Sequence, residues 1–143
     1  MILIDTNILV FAHNKKSPHY LKANQLLKDA VMLKFNGCVT HQNLLEFFSV
    51  ITNPKRVEKP LEITKSISLV ETYLNSTKIT KIYPTKNTLS RTIQLSKKLE
   101  LSKAEIFDCY IASTMLENNV LDIYTEDVTH FEKYPGIKVT SPF

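Results

Sequence analysis

Four carboxylates carry the chemistry this sequence can do. Asp5 stops a short apolar run, Met1-Ile2-Leu3-Ile4, and Thr6-Asn7 and a helical pattern follow at once. Such a run reads as a strand buried on both faces, as in a parallel sheet. In open α/β sheets, ligands bind beyond the carboxyl ends of the strands, so Asp5 stands where chemistry is expected. Three further acids could reach the same place: Glu46 between Leu45 and Phe47, Asp108 within Ile106-Phe107-Asp108-Cys109-Tyr110-Ile111-Ala112, and Asp127 after Asp122-Ile123-Tyr124-Thr125-Glu126. Four carboxylates in one cleft repel each other unless a cation holds them. A divalent metal ion, which takes oxygen ligands, is the natural candidate.

Each acid also has a plainer role open to it. Asp5 and Asp127 sit where an Asp caps a helix. Glu46 shares a mostly polar stripe with Gln42, Asn43 and Ser49, which either lines a wet pocket or faces solvent. Asp108 lies in the most apolar stretch of its helix, where a carboxylate is costly to bury unless paired or metal-bound. Glu105, three residues earlier, shares that face and is either an outer ligand or a solvated neighbour. Thr125 can hold a carboxylate rotamer from behind.

The elements that position these residues alternate. Strands are expected at Met1–Ile4, Gly37–Thr40, Ile79–Tyr83, Leu121–Thr125 and Ile137–Thr140. Helices are expected from Asn7, from Ser17-Pro18 through Val31, from His41 to Thr52, from Pro60 to Leu74, from Thr85 to Leu99 and from Lys103 to Glu117, with a short turn or helix from Asp127. Leu44, Leu45, Phe47, Phe48 and Ile51 make a thick apolar face on one helix. Ile63, Ile67, Val70 and Leu74 make another, and Leu89, Ile93 and Leu95 a third. Strand–helix alternation implies an α/β fold with a mostly parallel sheet of about five strands flanked by helices. The 143 residues suffice for one domain, 1–143, with a real core.

Composition narrows the classes. No stretch approaches the roughly 20 apolar residues of a membrane span, and no basic leader precedes the first strand. Cys38 and Cys109 lie in apolar settings without metal-type spacing and read as buried small hydrophobes, which fits a reducing, cytoplasmic home. His13, His19, His41 and His130 are too scattered to argue for zinc. With two glycines there is no phosphate-cradling loop. The net charge of +4 and pI of about 9.0 permit a nucleic-acid partner.

Taken together, Ile2-Leu3-Ile4-Asp5-Thr6-Asn7-Ile8-Leu9, Gln42-Asn43-Leu44-Leu45-Glu46-Phe47, Ile106-Phe107-Asp108-Cys109-Tyr110-Ile111-Ala112 and Tyr124-Thr125-Glu126-Asp127-Val128-Thr129-His130-Phe131 resemble the PIN-domain nucleases, most of all the VapC-type toxins of toxin–antitoxin pairs. The resemblance covers nearly the whole chain. It implies a three-layer α/β fold and a Mg²⁺- or Mn²⁺-dependent endoribonuclease in which metal-activated water cleaves RNA to 5′-phosphate and 3′-hydroxyl ends. Carried over by position, Asp5, Glu46 and Asp108 are the core carboxylates and Asp127 the fourth acid. Thr6, Asn7 and Thr125 match the residues that orient them. Where the family often has a basic residue before the fourth acid, this chain has Glu126. Lys15 and Lys16 after the first helix, and Lys55, Arg56 and Lys59 after the Glu46 helix, are candidates for phosphate contact. A small antitoxin and a second copy of the chain are the implied partners, with the helices Ser17–Val31 and Pro60–Leu74 as a possible interaction surface.

Two other readings are carried beside this one. A haloacid-dehalogenase-type phosphatase also places Asp after strand one, but needs a second Asp where this chain has Asn7. A non-catalytic RNA- or protein-binding module would keep the fold without the reaction.

Overall fold

The computed structural model describes residues 1–143. Its elements run β1 (Ile2–Ile4), α1 (Thr6–His13), α2 (Tyr20–Val31), β2 (Gly37–Thr40), α3 (His41–Ile51), α4 (Ile63–Asn75), β3 (Thr80–Ile82), α5 (Thr88–Leu99), α6 (Glu105–Glu117), β4 (Asp122–Tyr124), α7 (Val128–Phe131) and β5 (Lys138–Thr140). All four strand pairings are parallel, in the order β3-β2-β1-β4-β5. Ile2 pairs with Gly37 on one side and Asp122 on the other.

The two-residue period of a strand divides the core. Ile4 and Val39 pack with α1–α4 on one face, while Leu3 and Cys38 pack with α6 and α7 on the other. Where both faces are covered the strands are apolar runs: β2 is buried at all four positions and β1 at Leu3 and Ile4, whereas the edge strand β5 alternates Lys138, Val139 and Thr140 with both polar residues exposed. Cys38 and Cys109 are both free and buried, as their apolar settings imply. No helix is long and apolar enough to cross a membrane. β1 is the central strand, so its end, the end of β2 and the end of β4 lie side by side at the carboxyl edge. Asp5 N–H donates to the Tyr124 carbonyl across that edge at 3.1 Å.

Four helices begin later than the sequence suggests; α6 starts at Glu105, two residues after Lys103, whose φ of 52° is not helical. Ser17-Pro18 forms a turn in which Ser17 Oγ accepts from His19 N–H at 3.1 Å, and α2 starts at Tyr20. Pro60 to Glu62 stay extended, because Leu61 N–H is tied back to the Ile51 carbonyl at 2.9 Å. Thr88 Oγ1 accepts from Thr85 N–H at 2.8 Å, which spends residues 85–87 on a turn before α5.

Of the apolar faces expected on α4 and α5, Val70 and Leu95 pack half-buried against the core, but the rest points the other way. α4 buries Ser66 and Tyr73, and leaves Ile63, Ile67 and Leu74 exposed. α5 buries Thr88 and Thr92, and leaves Leu89 and Ile93 exposed. Ser66 and Thr92 satisfy their hydroxyls along their own chain turn, Ser66 donating to the Glu62 carbonyl at 3.1 Å and Thr92 to the Thr88 carbonyl at 2.8 Å, while the Tyr73 hydroxyl meets His13 Nε2 at 2.8 Å. A small side chain that bonds its own i−4 carbonyl can face the core without an unpaired polar atom. In α3 the core face is Leu44, Phe47 and Ile51, with Leu45 70% exposed.

Candidate active site

The carboxyl edge of the sheet opens into a cavity of about 740 Å³ whose lining includes Asp5, Glu46, Asp108 and Asp127. Each comes from a different place. Asp5 ends β1 and caps α1, Glu46 is one turn into α3, Asp108 is in the first turn of α6, and Asp127 precedes α7. The capping role of Asp5 therefore coexists with a place in the cavity. Asp127 makes no side-chain cap, so that plainer role is not the one it fills.

Asp5 is wired from all sides. Its Oδ1 accepts from Thr6 N–H at 2.7 Å and from Asn43 Nδ2 at 3.4 Å. Its Oδ2 accepts from Thr125 Oγ1 at 2.6 Å and Asn7 Nδ2 at 2.9 Å. Asn7 Nδ2 also lies 3.1 Å from Asp127 Oδ2, and Thr125 Oγ1 accepts from Asp127 N–H at 3.0 Å. Thr6 Oγ1 donates to Glu46 Oε2 at 3.0 Å. Every donor to Asp5 is neutral. Burial above all pushes its carboxyl from the ordinary 3.8 up to about 7, with the negative charges of Asp127 and Glu46 adding, against the pull of the Thr125 and Thr6 bonds.

Asp108 is held more loosely. Its side chain is 29% exposed, and its one ionic neighbour is His130, with Nδ1 at 3.3 Å from Oδ2. Burial raises its pKa, His130 opposes the shift, and Glu46 and Asp127 add to it. The carboxylates of two helices thus feel each other across the cavity.

Two contributors escape a reading of residue types alone. Asn43, fully buried, was legible only as part of a polar stripe. It completes a capping box with Thr40 at the start of α3, and its amide donates to Thr6 Oγ1 at 3.1 Å. One side chain thereby starts the helix that carries Glu46 and braces the β1–α1 corner. Gln42 Nε2 donates to Glu46 Oε1 at 2.6 Å and to the Phe107 carbonyl at 3.1 Å, joining α3 to α6.

Glu105 lies outside the cavity, paired with Lys133 at 2.6 Å and accepting from Ser102 N–H. Glu126 lines the cavity, but its carboxylate pairs with His19 at 2.9 Å. Of the basic candidates, Arg56 lines the cavity, whereas Lys15, Lys16, Lys55 and Lys59 do not.

As the side chains stand, no three acid, thiol or imidazole groups are disposed to enclose a metal ion. The donor chemistry nonetheless fits one. The four acids offer hard oxygen ligands, two of them carry pKa values raised by burial and mutual repulsion, and a divalent cation would relieve both causes.

A parallel sheet with an acidic cavity at its carboxyl edge, built from the ends of β1 and β4 and the starts of α3 and α6, defines a class of α/β fold. The chain belongs to the PIN domain family, whose profile matches residues 2–137. It is 22% identical over 142 residues to the ribonuclease VapC24 of Mycobacterium tuberculosis, covering 99% of this chain and 97% of that one. Its fold is similar to that of VapBC2 from Rickettsia felis, solved bound to a promoter DNA fragment (TM-score 0.68, 21% identity, 99% and 98% of the two chains). It is also similar to a toxin–antitoxin complex from Klebsiella pneumoniae (TM-score 0.64, 17% identity, 100% and 98%).

Proposed function

We propose that residues 1–143 form one catalytic unit, a metal-dependent endoribonuclease that serves as the toxin of a toxin–antitoxin pair. The observation that carries this is Asp5: a carboxylate stripped of water, given only neutral donors and set among three more acids. A network that leaves a charge so uncompensated suits a site completed by a cation and a phosphodiester. The ribonuclease relative, similar along its whole length, supports RNA as substrate.

Asp5, Glu46 and Asp108 would hold Mg²⁺ or Mn²⁺ directly or through water, with Asp127 joining Asp5 at the substrate side. When bound, the ion supplies Lewis-acid stabilisation of the phosphoryl oxygens and lowers the pKa of the attacking water. Thr125, Asn7, Asn43 and Thr6 fix the carboxylate rotamers, so the acids meet their charge without reorganising. In-line attack releases a 3′-hydroxyl and leaves a 5′-phosphate.

Two exposed apolar faces suit the two protein partners. We assign the antitoxin to α2 and α4, where Val31 and Met32 lie with Leu69 along a groove of about 510 Å³. We assign a second copy of the chain to the groove of about 550 Å³ lined by Leu45, Leu89, Ile93 and Phe107. Met32→Glu should abolish co-purification with the antitoxin, and Ile93→Glu should turn a dimer into a monomer in sedimentation. An unchanged outcome removes the corresponding assignment.

The function is tested by incubating purified protein, free of inhibitor, with total cellular RNA in Mg²⁺, in Mn²⁺ and in EDTA. Discrete fragments that need metal and carry 5′-phosphates are expected. Folded protein that binds RNA and cuts none would favour the non-catalytic module.

A further inference from the structure

The cavity has fourteen lining residues and one cation among them, Arg56. Its guanidinium makes no hydrogen bond or ion pair, although five carboxylates line the same cavity. Most lysines of this protein are likewise unpaired, but its one other arginine, Arg91, holds Glu117. Nor is Arg56 on a loose tail. The next residue, Val57, is buried in the core, Arg56 N–H donates to the Asn53 carbonyl at 2.9 Å, and Leu61 N–H ties the far side of the loop to α3. The loop thus presents a free guanidinium from a fixed base.

We propose that Arg56 grips an RNA phosphate adjacent to the one being cleaved. This rests on the ribonuclease reading. An acidic cavity repels a polyanion, and a cation bound among the acids offsets that repulsion only at the scissile phosphate. The next phosphate along the strand needs a cation at the rim, and Arg56 is the one the fold supplies. A guanidinium suits the task better than an ammonium, because its planar fork can meet two phosphate oxygens at once. Lys15, Lys16, Lys55 and Lys59, outside the cavity lining, are left to longer-range attraction.

The test separates binding from turnover. In an Asp5→Asn background, the affinity for an unpaired RNA oligonucleotide is measured against salt. Adding Arg56→Gln should weaken binding several-fold and reduce the log–log salt slope by about 0.7, the share of one phosphate on a single strand. Arg56→Lys should restore the slope but only part of the affinity, and Lys97→Gln should change neither. With Asp5 intact, Arg56→Gln should raise KM while kcat stays within about two-fold, the mark of an interaction made equally in ground and transition states. The thermal shift produced by Mn²⁺ should not change. An unaltered slope and KM in Arg56→Gln overturn the proposal while leaving a cleaving enzyme in place. So does a gain in Mn²⁺ affinity with RNA binding unchanged, which would make Arg56 the counter-ion of the empty acids. If the wild-type chain binds RNA through Arg56 and cuts nothing, the ribonuclease reading fails and the phosphate contact stands.

Discussion

The two sides of the acidic cavity are built on different terms. At the β1–α1 corner Asp5 accepts four hydrogen bonds, and its donors are themselves tied to Thr40, Glu46 and Asp127. At the α6 side Asp108 is partly exposed, with His130 as its one ionic neighbour. The first is a buried carboxylate held by four donors, pre-set for the ion we propose; the second, with one ionic neighbour, has room to adjust. A site assembled from a fixed half and a movable half can take up a metal ion and a phosphate of varied approach, because only the movable half must shift. It also divides the energetic cost unevenly. The burial penalty sits on Asp5, so the instability of the empty site should sit there too.

The largest effects should separate the two acids by stability rather than by activity. Asp5→Asn and Asp108→Asn should each lower RNA cleavage by about 10³-fold or more, since both remove a charge on which metal binding depends. Their melting temperatures should differ. The folded Asp5 carboxyl titrates near 7 instead of 3.8, so between these values the native state binds more protons than the unfolded chain. Stability is then intact below pH 4 and falls as pH rises to about 7. Raising the pH from 4 to 8 without metal should favour Asp5→Asn relative to wild type by up to a few kcal/mol, against a constant loss at both pH values because the new NH2 group meets two of the four donors that Asp5 accepts from. Asp108→Asn should gain much less, because solvent already reaches the carboxylate. Equal gains would erase the contrast between the two halves.

Thr125→Val cuts the fixed half from behind. The hydroxyl is buried, donates to Asp5 and accepts from Asn7 and Asp127 N–H. The loss should cost about 1–3 kcal/mol and 10–100-fold in cleavage or metal affinity, read by denaturant unfolding and initial rates. The smallest effect belongs to Glu105→Gln. With its carboxylate on Lys133 and outside the cavity, activity should stay within about two-fold and the melting temperature should be essentially unchanged. A larger loss of activity would return Glu105 to the site as an outer ligand.

Much of this was legible because it depends on residue type at the ends of elements. Apolar runs broken by Asp5 and by Thr125-Glu126-Asp127 mark strand ends, and parallel strands share a carboxyl edge, so those acids must approach each other. Asp108 was legible because a charge inside an apolar helix requires a reason. Asn43 was not, since its role depends on pointing inward at the first turn of α3, and a polar residue there reads equally as solvent-facing. The helix faces of α4 and α5 misled for a related reason. Ser66, Thr88 and Thr92 hide their polarity in their own helix or its entering turn and so pack inward, while Ile67, Leu89 and Ile93, with the stronger apolar signal, are left outside. Hydrophobicity alone cannot tell a core face from a partner face.

The most direct test is the melting temperature at pH 8 of wild type and Asp5→Asn, each with EDTA and with saturating Mn²⁺. The account predicts a large rise with Mn²⁺ for wild type, about 2.7 kcal/mol of stabilisation at a hundred times Kd. Asp5→Asn should gain little. Equal Mn²⁺ shifts in the two proteins would contradict the claim that the buried charge of Asp5 is what the metal ion completes.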